Sequence, residues 1–172
     1  MKKKIIAITM MLSMSAALCS CGKEQSQETT TTENLVKKDV IEFVSTELPS
    51  IKAKRDSAIG IYNSYFANDN ADVDAFVVSL KNDAIPGMEQ YLQDLNAIET
   101  ETDDVTQLKA LYAQSAQRQY DAMKMVLSAL EGDNADYLTQ AENLVSESNE
   151  LMKQYNDMLN SVASENGIII KK

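Results

Sequence analysis

Four polar side chains fall at positions where the helical pattern of this sequence otherwise places apolar residues: Arg55, Ser115, Gln119 and Ser148. Polar groups inside a helical bundle often form a hydrogen-bonded layer that fixes the register of the helices. The functional alternative is a pocket between the helices in which Arg55 binds a small anionic ligand. Tyr62 and Tyr112 would supply further hydrogen-bond donors to that pocket. We favour the structural layer, because such layers are common in bundles.

Catalysis and metal binding have little support in the composition. The 172 residues include no His, which is the commonest general base and a frequent metal ligand. No Ser lies in a glycine-framed nucleophile turn. The di-metal site of four-helix proteins needs Glu-x-x-His motifs, and the acidic runs at residues 69–74 and 133–136 lack the ligand spacing of a calcium loop. The sequence therefore predicts a protein that is not an enzyme and that holds no metal and no dissociable cofactor.

Four segments with helical periodicity must position the polar residues. The last segment is the clearest, because apolar or small residues alternate at spacings of 4 and 3 from Tyr137 to Val162. Turn signals at residues 68–70, 100–104 and 132–134 separate the segments. Proline removes a backbone donor, so kinks are expected near Pro49 and near Pro86, where the spacing slips to 4 and 4. The pattern predicts an all-α domain over residues 35–170, with four long antiparallel helices in an up-down-up-down bundle.

A weak internal repeat relates the two halves of this domain. The sequence DNAD at residues 69–72 returns 64 positions later, and at the same offset MEQYLQDLNAI from Met88 resembles MKQYNDMLNSV from Met152. Duplication of a helical hairpin would produce this repeat. Independent selection of good helix caps and a similar core face would produce it as well. The repeat bears on function only if the two halves form one symmetric cleft.

The beginning of the chain has the composition of an export signal. Three lysines follow the initiating Met, and residues 5–18 carry no charge, which is typical of a secretory signal and too short for a membrane span. The next residues, Leu18-Cys19-Ser20-Cys21, resemble the lipobox of bacterial lipoproteins. The resemblance implies cleavage between Ser20 and Cys21 and a thioether-linked lipid on Cys21. Cys19 fits the motif less well, because the large Leu18 would precede it.

The resemblance divides the chain into a signal peptide at residues 1–20, a lipidated Cys with a solvated tether at residues 21–34, and the helical domain. Removing the signal peptide takes away three lysines and no acid, so the formal net charge changes from −10 to −13. Such an acidic surface repels nucleic acid and anionic lipid headgroups. Membrane attachment is therefore expected through the acyl chains, such as palmitate, and not through a basic patch.

Together these features predict a lipoprotein anchored on the extracytoplasmic face of the cell membrane. The chain loosely resembles the small helical lipoproteins of Gram-positive bacteria. The leading hypothesis is a non-enzymatic interaction or structural module of the cell envelope, with another envelope protein as its partner. The alternative is a ligand-binding lipoprotein with a pocket around Arg55. An outer apolar groove at Phe43, Phe66 and Phe76 would favour the interaction module; the pattern predicts no oligomeric state.

Overall fold

Four helices make up the fold. The computed structural model describes residues 17–18, 32–67, 71–132 and 134–171. Helix α1 comprises Thr32–Glu42 and Leu48–Phe66, which are joined by the π-helical turn Phe43–Glu47. Helix α2 comprises Val73–Ser79 and Ile85–Ala97, which are joined by the π-helical turn Leu80–Ala84. Helix α3 is Asp103–Gly132, and helix α4 is Asp136–Glu165. The prediction of an all-α domain with four helices is confirmed.

The ends of the described chain differ slightly from the predicted boundaries. Helix α1 begins at Thr32, inside the predicted tether, and the rest of that tether lies outside the described residues. A two-residue antiparallel pairing joins β1, Ala17–Leu18, to β2, Ile170–Lys171. Cleavage of the predicted signal peptide would remove β1. Across the described ranges, we find no helix that combines the length and the apolar character required to span a membrane.

Each of the two prolines follows a wider turn of its helix. Before Pro49, the N–H of Leu48 donates to the carbonyl of Phe43, five residues earlier, and the same spacing occurs before Pro86. A proline ring has no N–H and crowds the carbonyl four residues before it. A π-helical turn holds more residues than an α-helical turn, which gives that carbonyl room to move aside. The kinks expected near the prolines stay a prediction.

The buried residues of α4 show how a spacing of 3 and 4 builds the core. The side chains of this helix that are buried are Ala141, Val145, Ser148, Met152, Tyr155, Leu159, Val162 and Ala163. Tyr137, Leu144 and Leu151 also belong to the stripe seen in the sequence, but they are half-buried. The apolar stripe of α4 is wider than the surface that contacts the other helices. The sequence therefore identifies the helix, but which residues of the stripe are fully buried depends on how the neighbouring helices pack against it.

Contacts between successive helices hold the domain together. The most extensive contact is between α3 and α4, where Ser115 meets Ser148 and Arg118 meets Glu147. One surface ion pair joins each pair of successive helices: Lys54–Asp94 at 2.7 Å, Lys81–Glu131, and Arg118–Glu147 at 2.8 Å. Exposed pairs of this kind contribute only about 0–1 kcal/mol each, so the apolar core supplies most of the stability.

A buried carboxylate of α1 caps the beginning of α3. Asp39 accepts hydrogen bonds from the N–H of Glu101 at 3.0 Å and from the N–H and the hydroxyl of Thr102 at 2.8 and 2.6 Å. The Thr102 oxygen in turn accepts from the N–H of Val105 at 3.4 Å. Thr102 thereby accepts from one of the first N–H groups of α3, which lack partners within the helix, and Asp39 holds Thr102 in place. The sequence predicts a capping residue in this turn, but not the contribution of the distant Asp39.

Candidate functional site

The guanidinium of Arg55 lies between α1 and α3 and is nearly enclosed. The residue is 4% exposed, and its Nε and Nη2 both donate to the side-chain oxygen Oε1 of Gln119, at 3.2 and 3.1 Å. The carbon at the centre of the guanidinium lies 5.9 Å from the ring centroid of Tyr112. An aromatic face at that distance attracts a cation. Gln119 and Tyr112 are both residues of α3, so this helix supplies the partners of the buried charge.

The guanidinium of Arg55 makes no ion pair within the described chain. No Asp or Glu of the described ranges lies within ion-pair distance of the guanidinium, and the group that accepts its hydrogen bonds is a neutral amide. Nη1 has no hydrogen-bond partner among the same residues. An arginine side chain does not lose its proton in a protein, and a buried charge is costly without a partner. Arg55 is thus a buried cation whose hydrogen-bond acceptor is neutral.

Tyr91 of α2 lies opposite this part of α1. Lys54, which precedes Arg55 in the chain, donates to Asp94, three residues after Tyr91. The backbone carbonyl of Lys54 lies 3.6 Å from the position that a Cβ would take on Gly87, four residues before Tyr91. The Tyr91 side chain is fully buried, and its hydroxyl lies next to that of Tyr112.

Burial is the main influence on the ionisation of Tyr91. It raises the pKa of the phenol far above its usual value, and the neighbouring Tyr112 and Asp56 raise that pKa further. The positive charge of Arg55 acts in the opposite direction, towards a lower pKa, but is outweighed. The Tyr91 hydroxyl is consequently neutral and able to donate a hydrogen bond throughout the physiological pH range.

Two other buried tyrosines share this behaviour. Together with Tyr91 we call Tyr62 and Tyr155 the core tyrosines. Burial also raises the pKa of Tyr155, whose ring packs edge-on against that of Tyr112 at 5.1 Å between centroids. It raises the pKa of Tyr62 as well, with a smaller contribution from Glu142, and the Tyr62 hydroxyl lacks a partner in the described ranges.

Tyr62 belongs to a different environment from Arg55. Its ring packs against Phe66 and Phe76, at centroid distances of 4.9 and 6.5 Å, and Arg55 is not among the groups that shift its pKa. The sequence placed Tyr62 beside Arg55 as a donor, whereas the structure places Tyr91 there. Tyr91 was missed because its position on the apolar stripe of α2 is typical of a packing residue. Phe43 and Phe76 are core residues, so they do not form the outer groove considered above.

Ser115 and Ser148 form a second buried polar contact, between α3 and α4. Their hydroxyl oxygens are 2.9 Å apart, and each hydroxyl lies 3.0 Å from the backbone carbonyl of the other residue. Each Ser can therefore donate to the carbonyl of the facing helix, which brings the two backbones close together. The four polar residues noted in the sequence form two pairs, Arg55–Gln119 and Ser115–Ser148, and the structure shows no hydrogen bond between the pairs.

Some sequence-based assignments lie outside this site. Cys21 and Ser20, the predicted lipid attachment and cleavage positions, fall outside the described residues. Within the part of the chain that the structure covers, no group of three or more His, Cys, Asp or Glu side chains could hold a metal ion. The chemistry available at Arg55 is thus hydrogen bonding and electrostatic attraction of an anion.

Comparison with known proteins identifies the family. The family model for EMYY-motif containing lipoproteins matches residues 1–167, almost the whole chain, so the chain belongs to that family and is a lipoprotein. No curated protein and no solved structure matches the chain. Read in one-letter code, EMYY does not occur as a contiguous string in this sequence, so the family name does not single out a site here.

Proposed function

We propose that this member of the EMYY-motif containing lipoprotein family is anchored on the extracytoplasmic face of the cell membrane as a non-enzymatic module of the envelope. The observation that carries the proposal is the family match over a sequence in which Cys21 follows a stretch with the composition of an export signal. Its acyl chains supply the membrane affinity, since two or three chains anchor a protein stably. The formal charge of −13 after cleavage supports attachment through lipid and not through basic residues.

The helical domain, in this proposal, is an up-down-up-down bundle with bends near Pro49 and Pro86. The inter-helix contacts support it, because α1 and α2, α2 and α3, and α3 and α4 are each bridged by paired side chains. Asp39 and Arg55 of α1 meet Thr102 and Gln119 of α3 in the same order along both helices, as expected for parallel helices in such a bundle. A domain of this shape presents long helix surfaces to an envelope protein.

The non-enzymatic character of the module rests on its residue types. The full sequence has no His, and the buried polar residues of the described chain are an Arg–Gln pair, a Ser–Ser pair and Asp39, which bonds to Glu101 and Thr102. Neither pair contains a base next to a nucleophile. The protein carries covalent lipid on Cys21 as its only prosthetic group in this proposal.

The lipid anchor is tested by comparing the two cysteines of the chain. Cells are labelled with a clickable palmitate analogue, and the label and the membrane fraction are followed for wild type, Cys21→Ala and Cys19→Ala. Wild type and Cys19→Ala should be labelled and sediment with membranes, because Ala is compatible with the position before Ser20. Cys21→Ala should lose both properties. Label retained by Cys21→Ala but lost from Cys19→Ala would refute the assignment.

The interaction role is tested by proximity crosslinking in intact cells. A photoreactive residue at the exposed Val78 of α2 samples the outer helix surface. The same residue at the buried Val126 of α3 is the control. We expect a defined envelope protein to be captured from Val78 in the wild-type background and lost when Cys21→Ala releases the chain. Identical capture patterns from both positions would contradict a specific outer contact.

A second candidate function is ligand binding at Arg55. The specific observation in its favour is the buried guanidinium that has a neutral acceptor and no carboxylate within ion-pair distance among the described residues. Anchoring and ligand binding are compatible, since a lipoprotein can hold a binding domain at the membrane surface.

A further inference from the structure

We propose that the C-terminal strand β2, Ile170–Lys171, is a docking edge for an extended peptide segment of another envelope protein, and that signal-peptide cleavage uncovers it. In the structure the edge is occupied by β1, Ala17–Leu18, which belongs to the segment that cleavage before Cys21 would remove. The inference rests on the proposed cleavage and deepens the interaction role, because it names a surface and the chemistry of its partner.

The segment that follows α4 is held against the bundle by the domain itself. Gly167 has a positive φ of 60°, and the N–H of Ile168 donates to the carbonyl of Ala163 at 2.8 Å, so the chain turns back after the helix. Lys37 of α1 donates to the carbonyl of Gly167 at 3.4 Å. Ile168 and Ile170 are half-buried and pack against the hydrophobic core. None of these contacts involves β1, so we expect the segment to keep its place after cleavage.

Cleavage would leave this edge without its partner strand. Leu18 pairs with Ile170, Ala17 pairs with Lys171, and β1 also lies against the π-helical turn of α1. Backbone N–H and C=O groups need hydrogen-bond partners, and an unpaired strand edge is a template for a further strand. Ile169, between the two packed isoleucines, is already 69% exposed. The mature chain would therefore present an apolar edge that is open to a peptide.

The segment seated on the edge in the structure indicates the occupant. It is extended, uncharged and antiparallel to β2, with Leu18 opposite Ile170. Strand addition takes its affinity from backbone hydrogen bonds and its specificity from alternate side chains. Lys171 is opposite position 17, where an acidic residue would add a pair of opposite charges. The expected partner segment thus has an acidic residue followed by an apolar one. A second copy of the chain, at a formal charge of −13, would be repelled.

The test compares the mature lipoprotein with a chain that keeps its own β1. Wild type and Cys21→Ala, which lacks the lipobox cysteine, are purified in a non-ionic detergent with methyl-labelled isoleucine, and intact mass establishes whether residues 1–20 are present. A peptide of residues 14–20 that carries Cys19→Ser is titrated while the methyl NMR signals are followed. We expect saturable shifts of the Ile170 signal in the mature protein, and at least tenfold weaker binding to Cys21→Ala. The signal of the buried Ile59 should not respond in either chain.

Two isoleucine variants and one peptide variant assign the edge. Ile170→Ser removes the apolar side chain opposite Leu18 and should weaken binding by about tenfold, as followed at the Ile168 signal. Ile169→Ser is the matched control at an exposed side chain and should leave binding unchanged. The peptide with Ala17→Glu should bind up to about fivefold more tightly at low salt. Equal effects of the two isoleucine changes would contradict the assignment, and an Ala17→Glu peptide that binds no more tightly would refute the acidic preference.

The outcomes separate this inference from the anchor. If wild type retains residues 1–20, the proposed cleavage is refuted, and the uncovering of the edge with it. If residues 1–20 are absent but the Ile170 signal does not respond to the peptide, the docking edge is refuted and the anchor stands. Equal affinity of the peptide for both chains would show that β1 does not hold the edge. An Ile170 signal that moves with protein concentration alone would identify a second copy as the occupant and overturn the proposal.

Discussion

Replacing Gln119 with Leu removes the acceptor that the buried guanidinium of Arg55 uses among the described residues. Two donors share that acceptor, at 3.2 and 3.1 Å, and Leu occupies a similar volume without an oxygen. Leaving a buried donor without its partner costs about 1–3 kcal/mol, and more when the donor is charged. Arg55 keeps 4% of its surface exposed, so water can replace part of the lost contact. We therefore expect a loss of about 3 kcal/mol of the free energy of unfolding.

The double variant Arg55→Met/Gln119→Leu distinguishes a charge effect from a packing effect. It removes the charge together with its acceptor, and such paired replacements are often nearly neutral or stabilising. Arg55→Met alone leaves the amide oxygen of Gln119 buried without its donors and should cost about 1–3 kcal/mol. The two single changes should thus not add, and the double variant should be the most stable of the three.

Thermal unfolding of the full-length chain, followed by far-ultraviolet circular dichroism, measures these differences. For a protein of this size, 1 kcal/mol corresponds to about 2–4 °C, so Gln119→Leu should lower the midpoint by about 6–12 °C. Glu150→Ala, at an exposed position of α4, is a control that should change the stability by less than about 0.5 kcal/mol. The reasoning fails if Gln119→Leu behaves like this control, or if the double variant is as unstable as Gln119→Leu.

Three further outcomes are expected. Ser115→Ala and Ser148→Ala should each lower the free energy of unfolding by about 1 kcal/mol, and a double-mutant cycle should show positive coupling, because each hydroxyl contacts the other residue. Asp39→Ala should cost about 1–2 kcal/mol in thermal unfolding, since it uncaps the beginning of α3. Burial raises the pKa of the core tyrosines, so their contribution to stability is complete below the unfolded value of 10.0 and is lost as the pH rises above it. With three such groups, the free energy of unfolding should fall by about 4 kcal/mol per pH unit above pH 10. Tyr62→Phe should reduce this slope by about a third. A slope that Tyr62→Phe leaves unchanged would contradict the assignment.

The periodicity of the sequence was sufficient to predict four helices, because an amphipathic stripe is a local property of the chain. It was insufficient to explain the slip to a spacing of 4 and 4 near Pro86. The structure places Leu80 and Ala84 in a π-helical turn, and these two residues and Met88 are all buried at that spacing. A wider turn holds more residues, so it keeps residues four apart on one face. The sequence signal was real, but its cause is a change of helix type.

The limits of the site prediction have a similar origin. A charged or amide residue on an apolar stripe is conspicuous, which is why Arg55 and Gln119 could be predicted to share a layer. A tyrosine on such a stripe is not conspicuous, since its ring is apolar and its hydroxyl is one atom. Whether that hydroxyl finds a partner depends on the neighbouring helix. The sequence therefore predicted Tyr62 near Arg55, whereas the structure places Tyr91 there.

The internal repeat gives the Arg55–Gln119 contact a further meaning. Arg55 and Gln119 are 64 positions apart, which is the offset of the repeat. Tyr91 and Tyr155 are also 64 positions apart, and both interact with Tyr112. Two buried guanidinium groups that faced each other would repel, so one member of the Arg55–Gln119 pair has to be neutral.

The hydrogen-bonded pair of Arg55 and Gln119 predicts that the charge can change sides. Gln119→Arg alone would bury two like charges and should cost at least about 3 kcal/mol of the free energy of unfolding. The exchange Arg55→Gln/Gln119→Arg restores one cation and one neutral acceptor at the same two positions, so it should recover most of that loss. Thermal unfolding of both variants decides the matter. An exchanged chain no more stable than Gln119→Arg would show that the surroundings of α1, and not the pair itself, determine where the cation is tolerated.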